Sequence, residues 1–195
     1  MLTRTGTILL EGLKDPENRA SWEAFDARYR PLILAVARRL GLQDADAEDA
    51  AQDTIAAFIQ GYRRGDYQRG KGRLRDWLCG IAGNKARDVF RRGNRERLIA
   101  DKTDGTLFFN KVEDAKLQQA WEDEWNQAIL RQCLGQVRAE LPARNFDAFQ
   151  LFALEQLPAK EVARRLQVSE DFVYQVKHRV LARIRELAPA VDADW

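Results

Sequence analysis

Along the chain, apolar positions recur every three or four residues and seldom every second one, with Ala, Leu, Arg, Glu and Gln dominant between sparse, clustered breakers. This pattern predicts a chain that is helical almost throughout. After Pro16, positions 19–40 form a helix interrupted or kinked near Pro31, with Trp22, Phe25, Tyr29, Leu32, Ile33, Val36 and Leu40 on one side and Gly41 as its stop. Asp44 or Asp46 is placed to cap the next helix, which runs to about Tyr62 and buries Ala47, Ala50, Ala51, Ile55, Phe58 and Ile59. A glycine-rich basic loop follows, with Gly61, Gly65, Gly70 and Gly72. A third helix begins near Leu74 and carries Trp77, Leu78, Ile81, Val89 and Phe90. Gly93, Asn94, Asp104 and Gly105 mark the end of that unit and a linker. A long helix covers about 112–140 and stops before Leu141 and Pro142, and three shorter helices finish the chain.

The sharpest local pattern lies in residues 159–178. Val162, Ala163 and Leu166 form the buried stripe of a short helix, Val168 plugs a turn, and Ser169 caps the next helix. Val173, Val176, Val180, Ile184 and Leu187 continue the stripe. Ala163 supplies the small residue that two steeply crossing helices need where they touch. This is a helix-turn-helix pattern, whose second helix enters the major groove. Gln167 falls where the tight turn usually has glycine, at some backbone cost. The exposed face of the second helix is predicted to be Glu170, Asp171, Tyr174, Gln175, Lys177 and His178. Gln175 is suited to adenine, and Lys177, Arg179 and Arg183 to phosphates. The acids suit a helix N-terminus but repel phosphates unless one accepts from a cytosine amino group. A helical hairpin without DNA contact is the plain alternative.

Charge changes the picture only when resolved along the chain. The total of 32 Lys and Arg against 30 Asp and Glu is +2. Residues 41–60 hold five acids and no Lys or Arg, whereas residues 61–97 hold twelve basic side chains against four acids. Residues 98–127 return to three basic against seven acidic, and 157–187 to seven basic against four acidic. Two basic modules separated by an acidic stretch point to different partners, one of them a polyanion. Five Trp and nine Phe argue against disorder. The segment 1–13 is too short in apolar residues for a signal peptide, and the stretch 32–37 falls far short of a membrane span. Cys79 and Cys133 lie in no metal-like spacing and read as reduced thiols of a cytoplasmic protein. Phosphate-loop, zinc-protease and nucleophile-elbow motifs are absent, so neither an enzyme nor a cofactor is expected.

The order of modules in the first half is an apolar helix ending at Gly41, the acidic helix 46–53, the loop ending in Gly70-Lys-Gly-Arg-Leu-Arg-Asp-Trp-Leu78, and the helix Ile81-Ala-Gly-Asn-Lys-Ala-Arg-Asp-Val-Phe-Arg-Arg92. With Leu141-Pro-Ala-Arg144, Phe146, Phe149-Gln-Leu-Phe152 and the helix-turn-helix, the chain resembles the extracytoplasmic-function (ECF) group of bacterial RNA polymerase sigma factors over about 20–97 and 130–187. The resemblance implies an all-α protein of two helical domains joined by a linker: a region 2 domain over 1–97, an acidic linker over 98–127, and a region 4 helix-turn-helix domain over 128–195. It implies that Asp49, Gln52 and Asp53 dock on the clamp helices of core RNA polymerase; the plain reading is a solvated acidic face. A calcium loop at Asp44, Asp46 and Glu48 fails, because the turn glycine and closing glutamate positions fall on Asp49 and Ile55.

It further implies that Asn84, Asp88, Arg91 and Arg92, with Lys85 and Arg87 beside them, recognise and help melt the −10 promoter element. Arg69, Lys71, Arg73 and Arg75 would then line a pocket for a flipped base. A basic groove with amide and aromatic groups suits the melted non-template strand. Trp77 fits the core pattern better than a stacking platform. Gly83 stands where the family commonly has Arg, which removes one phosphate contact and softens the helix. Ser169, Glu170, Asp171, Tyr174, Gln175, Lys177 and His178 would read duplex DNA at the −35 element. Family members are often held by an anti-sigma factor, and none is identified by the sequence.

Other classes remain open at this point. A helix-turn-helix regulator acting without core polymerase would bind duplex DNA tightly as a dimer. A carboxylate nuclease built from the acids of 44–53 would need a divalent metal and a second ligand set. An adaptor would dock partners on Trp121 and Trp125, whose i, i+4 spacing is more often core, here expected to cover the helix-turn-helix module.

Overall fold

The computed structural model describes residues 5–68, 70–100 and 114–195, with side chains described for 9–68, 70–92, 114–193 and 195. The chain is helical, with no strand among the described residues. It packs as two units, one ending at Asn126 and the other running from Gln127 to Trp195.

In the first unit, α1 (Thr5–Gly12) leads into α2 (Arg19–Arg39), α3 (Asp44–Arg64) and α4 (Leu74–Ala100). Asn18 caps α2 by accepting from the Ser21 N–H at 3.1 Å. Pro31 lies inside α2 on its exposed side, and the helix continues through it to Arg39. A proline there faces water, where the carbonyl it leaves without a partner can be solvated. Gly41, at φ +97, ends the turn as expected. The core is aromatic: Phe25 lies 4.4 Å from Tyr29 and 4.6 Å from Phe58, and Phe58 lies 4.9 Å from Trp77. Next to it, Ala37, Ala47, Ala50 and Ala86 with Leu42 and Val89 let the helix backbones approach closely.

Several expectations are corrected. Neither Asp44 nor Asp46 caps α3: the cap position is Gln43, without a side-chain bond, and Asp44 pairs instead with Arg38 at 2.9 Å. Gly61 is not in the loop but inside α3, buried, where an added Cβ would come within 3.1 Å of the Trp77 ring. The loop starts at Gly65, whose φ of +82 closes α3. Helix α4 continues past Gly93 and Asn94 to Ala100, so that unit does not end at 93. Asp104 and Gly105 lie outside the described residues, as does Arg69.

Helix α1 was not foreseen. Leu9, Leu10 and Leu13 are buried, the Arg63 Nε donates to the Leu13 carbonyl at 2.9 Å, and the Arg63 guanidinium lies 4.7 Å from the Trp22 ring. The long helix α5 (Asp114–Glu140) belongs to both units, residues 114–126 to the first and 127–140 to the second. Trp121 and Trp125 are core, as their spacing suggests, but they belong to the first unit: Arg75 of α4 lies 5.3 Å from the Trp125 ring.

The second unit adds α6 (Ala143–Phe149), a π-helical turn (Gln150–Leu154), α7 (Ala159–Leu166) and α8 (Glu170–Asp194) to the end of α5. Cys133, Val137, Ala148, Phe149, Val162, Val173, Val176 and Val180 fill its core. The last helix, α8, has 25 residues and runs through Pro189.

Candidate nucleic-acid interfaces

The helix-turn-helix has the geometry its sequence predicts, with one tie that the sequence does not reveal. Val162, Val173, Val176 and Val180 are buried where α7 and α8 meet, and Ala163 is buried beside them. The Ser169 hydroxyl accepts from the Phe172 N–H at 3.1 Å, capping α8. Gln167 takes the left-handed conformation at φ +53 that glycine would adopt without strain. Arg144, on α6, donates to the carbonyls of both Leu166 and Gln167 at 2.7 Å. It thereby satisfies C-terminal carbonyls of α7 and puts a positive charge at the negative end of that helix. No periodic signal marks Arg144, since its partners are backbone atoms more than twenty positions away.

On the outer face of α8, Glu170, Asp171, Tyr174, Gln175 and His178 are exposed together, while Lys177 is half-buried. Lys177 lies 5.2 Å above the Phe152 ring, and Tyr174 meets the same ring edge-on at 5.3 Å. The aromatic ring from the π-helical turn therefore steers both side chains. Arg179 is exposed. Arg183, expected to reach phosphates, is instead held by Glu140 at 2.8 and 3.0 Å and by Glu186 at 3.1 Å, and this partner lowers the pKa of Glu140. Hydrogen bonds from Arg164 and Arg165 pull the Glu161 carboxyl down to about 2.

In the first unit, α3 and α4 pack side by side, which brings the two sets predicted there together. Asp49 and Gln52 are exposed on α3, and Asp53 lies 3.5 Å from Arg92 of α4. On α4, Asn84, Asp88, Arg91 and Arg92 are exposed along one face, with Arg91 and Asp88 paired at 3.3 Å. Arg73, Lys71 and the glycines at 70 and 72 are exposed in the preceding loop. Lys85 and Arg87 are half-buried at the flank. Trp77 packs against Phe58 and lies 5.4 Å from Tyr67, so it is part of the core edge as read from the sequence.

The flank is covered by the first half of α5. Glu122 pairs with Arg75, the Cys79 thiol faces Gln118, Leu117 sits on Gly83, and Asp114 pairs with Arg87, an antiparallel register along positions 75, 79, 83 and 87. Arg39 of α2 holds Asp123 at 2.8 Å and Glu124 at 3.2 Å. The glycine at 83 has a structural reason: a Cβ there would fall inside the Leu117 side chain. Burial, aided by the charges of Asp76 and Glu122, pushes the Cys79 thiol up to about 11. Among the described residues no cluster of His, Cys, Asp or Glu could hold a metal, and no helix is long and apolar enough to cross a membrane.

Residues 25–96 match the Sigma-70 region 2 family. The chain is 29% identical over 187 residues to the ECF RNA polymerase sigma factor SigE of Mycolicibacterium smegmatis, covering 93% of this chain and 67% of the relative. It is 28% identical over 142 residues to the ECF RNA polymerase sigma factor SigM of Bacillus subtilis, covering 72% of this chain and 78% of the relative. The solved structure of CnrH in complex with the cytosolic domain of CnrY overlays at a TM-score of 0.38 with 22% identity, over 95% of this chain and 98% of that one.

Proposed function

From its membership of the ECF RNA polymerase sigma factors, we propose that this chain binds core RNA polymerase, recognises −10 and −35 promoter elements and helps melt the DNA, with no catalytic chemistry of its own. Its place of work is the cytoplasm, where core polymerase and promoter DNA are, and an anti-sigma factor is a further partner consistent with the family. The observation that carries the reading is the α3/α4 pair inside the matched stretch. An acidic face with Asp49 and Gln52 lies beside a face with Asn84, Asp88, Arg91 and Arg92, joined at Asp53 and Arg92.

Two surfaces of opposite chemistry on adjacent helices suit a protein held by one partner while it grips another. Asp49, Gln52 and Asp53 offer carboxylates and an amide to polymerase. Arg73, Arg91 and Arg92 offer cations to the phosphates of the melted strand, and Asn84 with Asp88 offers groups that can hydrogen-bond splayed bases. Ser169, Glu170, Asp171, Tyr174, Gln175, Lys177 and His178 present the start of α8 to the −35 major groove. Lys177 is pre-positioned by Phe152 and Gln175 is exposed for base contact.

In-vitro transcription with purified core polymerase and sequencing of the 5′ ends is the direct test. The chain should direct initiation from a defined promoter, and Arg91→Glu/Arg92→Glu should abolish open-complex formation while core binding persists. Tight operator binding by the chain alone, with no polymerase-dependent transcript, would make it a regulator of a different kind.

A further inference from the structure

Asn84 is not a free amide. The Arg87 Nη1 donates to the Asn84 Oδ1 at 3.1 Å, and the Arg87 Nη2 is held by the Asp114 carboxylate. A guanidinium has only donors, so it can engage only the oxygen of the amide, which fixes which way round the amide faces. We propose that Asp114 is a positioning residue for promoter recognition: through Arg87 it fixes the order in which the Asn84 amide presents its oxygen and its NH2 group, and so determines which base edge α4 accepts. This inference rests on the reading of α4 as the −10 helix.

The register of α5 on α4 builds the relay. Leu117 is seated on Gly83, and Leu117, Trp121 and Trp125 are buried. The first turn of α5 is thus anchored by packing against the face of α4 that carries Arg87 one turn after Gly83. Asp114, one turn before Leu117, then meets Arg87. Any side chain at 83 would push Leu117 off this face and remove the platform that carries Asp114.

The chemical consequence concerns the base. An asparagine with both ends free can bond adenine bidentately, its oxygen accepting from N6–H and its nitrogen donating to N7. Bonded to Arg87, Oδ1 keeps the second of its two lone pairs and can still accept from a base, but it can no longer exchange places with the NH2 group. A fixed amide offers its donor and acceptor in one order, whereas a free amide can turn over to suit either order. The base preference of the fixed amide should be on the order of tenfold.

The test is transcription by the full chain with core polymerase on a promoter library randomised across the −10 element, scored as relative base use so that total output cancels. Wild type should prefer one base at the position that Asn84 reads, and Asn84→Ala should erase that preference. Arg87→Ala and Asp114→Ala should each weaken the preference several-fold by freeing the amide to turn over, and Asp114→Glu should keep the wild-type profile. An unchanged profile in Arg87→Ala, in Asp114→Ala or in Asn84→Ala overturns the relay. If wild type initiates from no member of the library, it is the sigma-factor reading that fails.

Discussion

Replacing Gly83 by alanine adds one methyl group at the point where α5 rests on α4, and the sign of its effect depends on a residue 34 positions away. Inside a helix, Gly→Ala should stabilise by about 1 kcal/mol, because alanine loses less backbone freedom on folding. At position 83 the new Cβ would occupy the space of a Leu117 Cδ. Leu117 is 6% exposed, so displacing it forfeits much of the ~1.5–3 kcal/mol that burying a leucine provides. The net expectation is a loss of about 0.5–2 kcal/mol. Leu117→Ala alone should cost about 2–5 kcal/mol. In that background the clash is gone, and Gly83→Ala should now stabilise by about 1 kcal/mol. The four proteins form a cycle, read by urea denaturation followed by far-UV circular dichroism. A Gly83→Ala effect of the same sign and size in both backgrounds would refute the close approach of α4 and α5.

Arg144→Ala should destabilise the second unit by about 1–2 kcal/mol in thermal melts. Both of its bonds come from one nitrogen, Nη2, so a single ammonium can replace it and Arg144→Lys should recover most of the loss. Gln167→Gly should stabilise the same unit by about 0.5–1 kcal/mol, since glycine takes the left-handed turn without strain. The carboxyl of Glu161 has a folded pKa of about 2, below its ordinary value of 4.5, so its contribution is complete above the ordinary value and is lost as pH falls through about 2; a side-chain NMR titration with a midpoint near 4.5 would contradict this. Cys79, with its thiol pushed to about 11 and buried, should react with a thiol reagent at pH 8 far more slowly in the folded chain than in urea.

Helix content and the identity of the buried faces are legible in the sequence because they depend on spacing alone. Phe25, Phe58, Val162, Val173 and Val176 are buried as their periodicity requires. The cap and turn residues Gly41, Ser169 and Gln167 are legible for the same reason, each being a local conformational demand. What spacing cannot supply is the partner of a long polar side chain. Arg144 reaching the turn, Arg183 held by Glu140 and Arg87 held by Asp114 all join residues far apart in sequence. Gly83 reads from the sequence only as a lost contact, because the residue that fills its space, Leu117, lies 34 positions away. Glycine as a breaker also misled at Gly61 and Gly93, where tertiary packing and helix continuation outweigh a cost of about 1 kcal/mol each.

The stretch that matches a known family, 25–96, is smaller than the body that folds. Leu9, Leu10 and Leu13 precede it, and Leu117, Trp121 and Trp125 follow it, yet all are buried in the same unit. A fragment trimmed to the family boundaries would bare the Gly83 face and leave Arg63 without the Leu13 carbonyl. The α3/α4 face of that stretch is exposed, whereas the flanking helices seal its underside. The flanks thus set the form of that face from below, and a change in them can retune it without altering any residue of the matched stretch.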